Sequence, residues 1–200
     1  MSRSILRGAA VACGFALALA AKPAAAAPGT ETTAASPGLA MAGHFRLRTA
    51  AGETVDSDAL AGTPYAIFFG FTQCPDICPT TLADLTQAMA TLPPAAASLR
   101  IYFVSVDPAD EVEAMARYTA VFDPRIVALG GSPAAIASAT GSFGIAVERS
   151  ELPGGGATYG HTATVFLVDA DGLVADRTSL QDTSDAMAEK LAKLMGVPRR

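Results

Sequence analysis

Phe69-Gly70-Phe71-Thr72-Gln73-Cys74-Pro75-Asp76-Ile77-Cys78-Pro79 closes an unbroken apolar run, Tyr65 to Phe71, and opens onto a stretch with helical spacing at Leu82, Leu85 and Met89 that Pro93-Pro94 ends. An apolar run of strand length without polar alternation reads as a strand buried on both faces of a sheet, and paired prolines stop a helix. Arg100 to Val106 (RIYFVSV) is a second such run. The helix predicted over Thr80 to Leu92 therefore joins two buried strands into a βαβ unit, and the sheet is at least partly parallel.

Outward from that unit the pattern stays regular. On the N-terminal side Phe45, Leu47 and Thr49 alternate with polar neighbours, Ala51-Gly52 marks a turn and Thr54-Val55 resumes the strand pattern, which predicts an entrance hairpin. On the C-terminal side, Asp110 to Phe122 reads as a helix, Ile126 to Leu129 as a short strand, and Pro133 to Thr140 as a helix capped by Ser132 with Pro133 at its first position. Leu152 to Gly160 reads as a glycine-rich loop. Two late strands, His161 to Val168 and Leu173 to Thr178, meet at the turn signal Asp169-Ala170-Asp171-Gly172 and form an antiparallel hairpin, and a helix over Ser184 to Met195 closes the chain. A βαβ half followed by a ββα half is the order of a thioredoxin-like α/β fold: a central mixed sheet flanked by helices, here with an N-terminal β-hairpin.

The two ends of the chain set its context. Arg3 and Arg7 followed by the apolar run Ala9 to Ala21, with Ala24 to Ala27 as a small-residue cleavage site, read as a secretory signal over residues 1–26. The apolar run falls short of the roughly 20 residues that span a bilayer, so cleavage is expected over retention as a membrane anchor. Cys13 lies inside the apolar core and leaves with the signal. Residues 27–40 are Ala, Pro, Gly, Thr and Ser with almost no large apolar side chain, the composition of a flexible linker, and the working domain is expected over 41–200. The full chain carries 14 basic and 19 acidic residues; loss of Arg3, Arg7 and Lys22 leaves 11 against 19, a formal charge of −8. That excess of acid argues against nucleic acid as a partner.

Two cysteines then remain. Cys74 and Cys78 stand where the first buried strand gives way to the helix, and a helix N-terminus, with its unpaired N–H groups and partial positive charge, favours thiolate. Thiolate is both nucleophile and metal ligand. If the first helical turn reaches back over the loop, a spacing of four brings both residues to one face, where two sulfurs can share an ion or close a disulfide. A purely structural disulfide across so small a loop removes little entropy from the unfolded chain. A thioredoxin-type redox pair has two intervening residues, against three here. The order of elements returns the loop before His161 to the neighbourhood of the cysteines. Two thiolates and one imidazole suit Cu(I) in three-coordination, whereas structural zinc calls for a fourth ligand. Met89, Met115, Met187 and Met195 fall on helical stripes and read as core, and His44 reads as a surface residue. Asp107, at the end of the second buried strand, and Asp76, inside the cysteine loop, read either as caps or turn residues or as support for the site.

Taken with Ser105-Val106-Asp107-Pro108, Phe122-Asp123-Pro124, Gly130-Gly131-Ser132-Pro133 and His161-Thr162 ahead of Phe166-Leu167-Val168-Asp169, the stretch from Phe69 to Leu82 resembles the Sco/SenC family of copper metallochaperones, with similarity from about Ala42 to Met195. The resemblance implies a thioredoxin-like domain binding one copper ion, as Cu(I), Cu(II) or each in turn, through Cys74, Cys78 and His161. It implies a partner in cytochrome c oxidase subunit II, whose CuA centre is assembled by copper delivery, by reduction of its cysteines, or both. A periplasmic location, a monomeric state, an optional inner-membrane tether and exchange with another periplasmic copper chaperone or thiol reductant go with it. This chain departs from the family at Gly160, where members often carry Asp before the histidine, and in its short apolar leader. The rival reading is an enzyme, a periplasmic thiol-disulfide oxidoreductase in which Cys74 attacks and Cys78 resolves. A peroxide reductase would need an Arg near Cys74 in sequence, which is lacking.

Overall fold

Polarity dictates the hairpin, the βαβ unit and the closing ββα unit in the computed structural model, which describes residues 41–198; the signal and linker expected over residues 1–40 lie outside the described residues. Leu47 is buried between exposed Arg46 and Arg48, and the strands β1 (Arg46–Arg48) and β2 (Thr54–Asp56) pair antiparallel. All six residues of β3 (Tyr65–Gly70) are buried. The helix α1 (Ile77–Ala90) buries Cys78, Thr81, Leu82, Leu85, Ala88 and Met89 along one stripe and leads to β4 (Ile101–Ser105). It begins three residues before the predicted start at Thr80. Pro79 does not prevent this, because in a first helical turn its missing N–H would have had no partner within the helix.

After β4 come α2 (Val112–Thr119), β5 (Ile126–Leu129) and α3 (Pro133–Ser142), the last capped as expected by Ser132, whose hydroxyl accepts from the Ala135 amide at 3.2 Å. The predicted loop over Leu152 to Gly160 is instead part of a hairpin, β6 (Val147–Glu151) and β7 (Ala157–His161), with Gly154, Gly155 and Gly156 at its tip. Those glycines all have positive φ, between 88° and 101°, a backbone that side-chain-bearing residues rarely adopt. His161 therefore ends a strand rather than beginning one. The chain closes with β8 (Thr164–Val168), β9 (Val174–Ser179) and α4 (Ser184–Leu194).

The main sheet has the order β5-β4-β3-β8-β9, with β3, β4 and β5 parallel and β8 antiparallel to both β3 and β9. This is the thioredoxin-like mixed sheet. Alternate residues of β3 feed the two faces. Phe68 packs on Phe103, which meets Tyr118 of α2, and α1 and α4 pack together. Phe69 points the other way, against Phe143 at the end of α3 and Phe166 of β8, while Tyr65 and Tyr102 meet Phe45 beside the entrance hairpin. Met89, Met115 and Met187 are buried, and Met195 packs against the core in part, as their helical spacing predicts. The parallel strands all end on one edge of the sheet, and the cysteine loop sits there.

Candidate functional site

The loop that follows β3 turns back on itself: the Cys74 amide donates to the Phe71 carbonyl at 3.3 Å, and α1 starts at Ile77. Cys78 is in the first turn of that helix with no solvent exposure, whereas Cys74 precedes the helix and is partly exposed; both are free thiols. The expectation that one helical turn would carry both cysteines is met only at Cys78. The link between them is instead a hydrogen bond from the Cys78 amide to Cys74 Sγ at 3.4 Å. Gly70 makes room for the buried sulfur. A Cβ at this position would lie 2.9 Å from Cys78 Sγ and 2.8 Å from Phe103 Cε2.

His161, 83 residues further along the chain, brings Nε2 to 3.9 Å from Cys78 Sγ. Its Nδ1 lies 3.2 Å from the carbonyl oxygen of Thr162. A carbonyl only accepts, so Nδ1 carries the proton and the Nε2 lone pair faces the sulfur. The imidazole stands edge-on to Phe71, as does Tyr159, with ring centroids 6.1 and 5.5 Å away.

Burial controls the charge state here. It pushes the Cys78 thiol far up, with the contact to Cys74 adding to the effect and the Phe71 backbone opposing it. Desolvation also lowers the His161 imidazole, partly offset by the Thr162 carbonyl. In the metal-free protein Cys78 is therefore a neutral thiol beside a neutral imidazole. At Cys78, burial opposes the thiolate that the helix N-terminus would favour.

Asp107 takes the turn position foreseen for it and also reaches the strand that carries His161. Its Oδ1 accepts from the Ala109 amide at 2.8 Å, which closes a turn, and from the Tyr159 hydroxyl at 3.0 Å, two residues before His161. Asp76 occupies the position before α1 but is exposed and makes no side-chain cap; Thr80 Oγ1 contacts it at 3.4 Å. His44 is exposed and pairs with Asp58 at 3.0 Å, away from the cysteines. Sequence reasoning missed Asp110. Its carboxylate accepts from the Thr72 amide at 2.8 Å, from the Thr72 hydroxyl, and from Ser105 Oγ at 2.6 Å, which ties the cysteine loop to the end of β4. The visible signal was an acidic residue three positions past Asp107 on the same sheet edge. Among the described residues no three His, Cys, Asp or Glu side chains form a ready-made metal cluster; the fold brings Cys78 and His161 together and leaves Cys74 at the rim.

Residues 33–196 match the SCO1/SenC family model. The chain belongs to the SCO1/SenC family. The zebrafish (Danio rerio) mitochondrial protein SCO2 homolog is 34% identical over 157 residues, a match spanning 76% of this chain but 56% of that protein. The rickettsial SCO2-like protein of Rickettsia conorii is 31% identical across 76% of this chain and 75% of its own length. Among solved structures, copper-bound ScoI of Bradyrhizobium japonicum superposes with a TM-score of 0.71 at 34% identity, covering 78% of this chain and 99% of that one. Two sulfurs and an imidazole nitrogen are the donor types that soft, low-coordinate cations select. No helix among the described residues is long and apolar enough to cross a membrane.

Proposed function

We propose that this protein takes one copper ion, Cu(I) or Cu(II), as cargo on Cys74, Cys78 and His161, and serves assembly of the CuA centre of cytochrome c oxidase subunit II by delivering copper, by reducing that subunit's cysteines, or both. The observation that carries the proposal is the 3.9 Å approach of His161 Nε2 to Cys78 Sγ from 83 residues away. The likeness to a copper-bound ScoI supports the choice of ion. A rim cysteine over a buried one suits transfer, since the partner's thiols reach Cys74 first. Residues 41–200 form the working domain, and residues 1–26 export it to the periplasm through a cleaved signal or hold it at the inner membrane, with 27–40 as linker. It acts as a monomer, recharged by another periplasmic copper chaperone or thiol reductant.

A second reading has one observation in its favour: the accessible Cys74 and enclosed Cys78 have the asymmetry of an attacking and a resolving thiol. Cys74 thiolate would open a partner disulfide, and Cys78 would then displace the partner, leaving the Cys74–Cys78 disulfide and a partner dithiol that has gained two electrons.

The experiment is metal analysis of reduced, anaerobically purified protein, together with oxidase assembly in cells expressing His161→Ala at native level. Copper handling predicts one copper per chain, lost in Cys74→Ser and in Cys78→Ser, and failed assembly in His161→Ala with the thiols still reactive. Full copper occupancy in either serine variant sinks the ligand set, and normal assembly in His161→Ala promotes the oxidoreductase.

A further inference from the structure

We infer that the turn Ser105–Asp110 at the end of β4 is a brace that sets the approach of His161 to Cys78, with Asp110 acting through Thr72 and Asp107 through Tyr159 as positioning residues. The two halves of the site are anchored alike. Thr72 lies two residues before Cys74 and is held by Asp110; Tyr159 lies two residues before His161 and is held by Asp107. Ser105 links the Asp110 carboxylate to the backbone of Asp107: its Oγ donates to Asp110 Oδ2 at 2.6 Å and accepts from the Asp107 amide at 3.1 Å. A path of hydrogen bonds, completed through the Asp107 residue itself, thus runs from the cysteine loop to the histidine strand without touching sulfur or imidazole.

The hairpin needs such a brace. Among the described strands β6 and β7 pair only with each other, in a two-stranded sheet apart from the main one. Apart from the His161–Cys78 approach itself, β7 meets the cysteine loop through the contact of Tyr159 and His161 with Phe71, which allows sliding, and is tied to the end of β4 by the Tyr159–Asp107 hydrogen bond, which is directional. The Tyr159 hydroxyl also meets the guanidinium of Arg149, its cross-strand partner, but that contact lies within the hairpin and fixes nothing to the sheet. In metal sites, groups that orient a ligand from behind typically carry about 10- to 100-fold in affinity.

The inference rests on the copper reading for one arm of its test and stands alone in the other. In the first, Cu(I) affinity of the reduced protein is measured by competition with a colorimetric Cu(I) chelator for the parent, Tyr159→Phe, His161→Ala and the double variant. Tyr159→Phe keeps the ring on Phe71 and should weaken binding about tenfold, the low end of that range. In the His161→Ala background it should cost less than about twofold, because no imidazole remains to be placed. In the second, the nuclear Overhauser contacts between the His161 and Phe71 rings of metal-free protein should weaken in Tyr159→Phe, and again in Thr72→Val, while the melting temperature reports that the fold persists. Unchanged affinity in Tyr159→Phe, an equal loss in both backgrounds, or unchanged ring contacts would overturn the brace. If the parent binds no Cu(I), the copper reading fails and the ring contacts alone decide the brace.

Discussion

The space above Gly70 is filled by sulfur. Phe103 Cε2 and Cys78 Sγ lie 2.8 and 2.9 Å from where a Cβ would be, and both belong to fully buried side chains. Gly70→Ala should therefore cost about 1–3 kcal/mol, as overpacked cores do, and push Cys78 out of line with His161. Thermal melting, coupled with copper retention, checks this: a variant as stable as the parent that retains copper would mean the helix end yields freely. The three proposed ligands were legible from residue type and position, since a strand end, a helix start and a histidine beside a glycine-rich stretch are local features. Asp110 and Thr72 were not. Their bond spans 38 residues, and only the β3–β4 register, which sets Gly70 beside Ser105, brings them together.

The elements with strong internal patterns were the readable ones: β5 is found at Ile126–Leu129 as predicted, and β3, β4, β8, β9 and α4 within two or three residues at either end. The hairpin β6–β7 was not legible because β6 is exposed at every position, so it has no apolar alternation to betray it, and three consecutive glycines imitate a loop. At the junction of β9 and α4, the Asp182 carboxylate accepts from Lys190 Nζ at 2.9 Å, from buried Thr178 Oγ1 at 2.8 Å and from the Ser179 amide at 3.0 Å. The Lys190 hydrogen bond, with those of Thr178 and Ser179, holds this carboxyl below the ordinary aspartate range. A depressed folded value means that its stabilisation is complete above the unfolded pKa, near 4, and is lost as pH falls through the lower folded value. Asp182→Asn should accordingly melt below the parent at neutral pH, with the gap closing in acid; a gap that stays constant to about pH 2 would assign the effect to packing.

For the molecule as a whole, the proposed loading with copper would be an exchange of protons. Burial raises the Cys78 thiol and lowers the His161 imidazole, so at neutral pH the sulfur still holds a proton and the nitrogen does not. Affinity should then rise with pH by at least one proton per copper, about tenfold per unit, across the neutral range, with the imidazole competing only in more acid solution. Competition titrations between about pH 6 and 8 test this, and a flat profile would exclude Cys78 as a ligand. The topology has a consequence in time. β3, buried throughout, is bordered by β4 on one side and by β8 on the other. A ribosome that has just completed Gly70 must add 98 more residues before Val168 finishes β8, which at roughly 5–20 residues per second takes on the order of 5 to 20 seconds. Until β4 is made both edges of β3 are open and until β8 is made one still is, and Cys74 and Cys78 are made 87 and 83 residues before His161. Pairing of β3 is thus completed only by the segment that follows directly on His161.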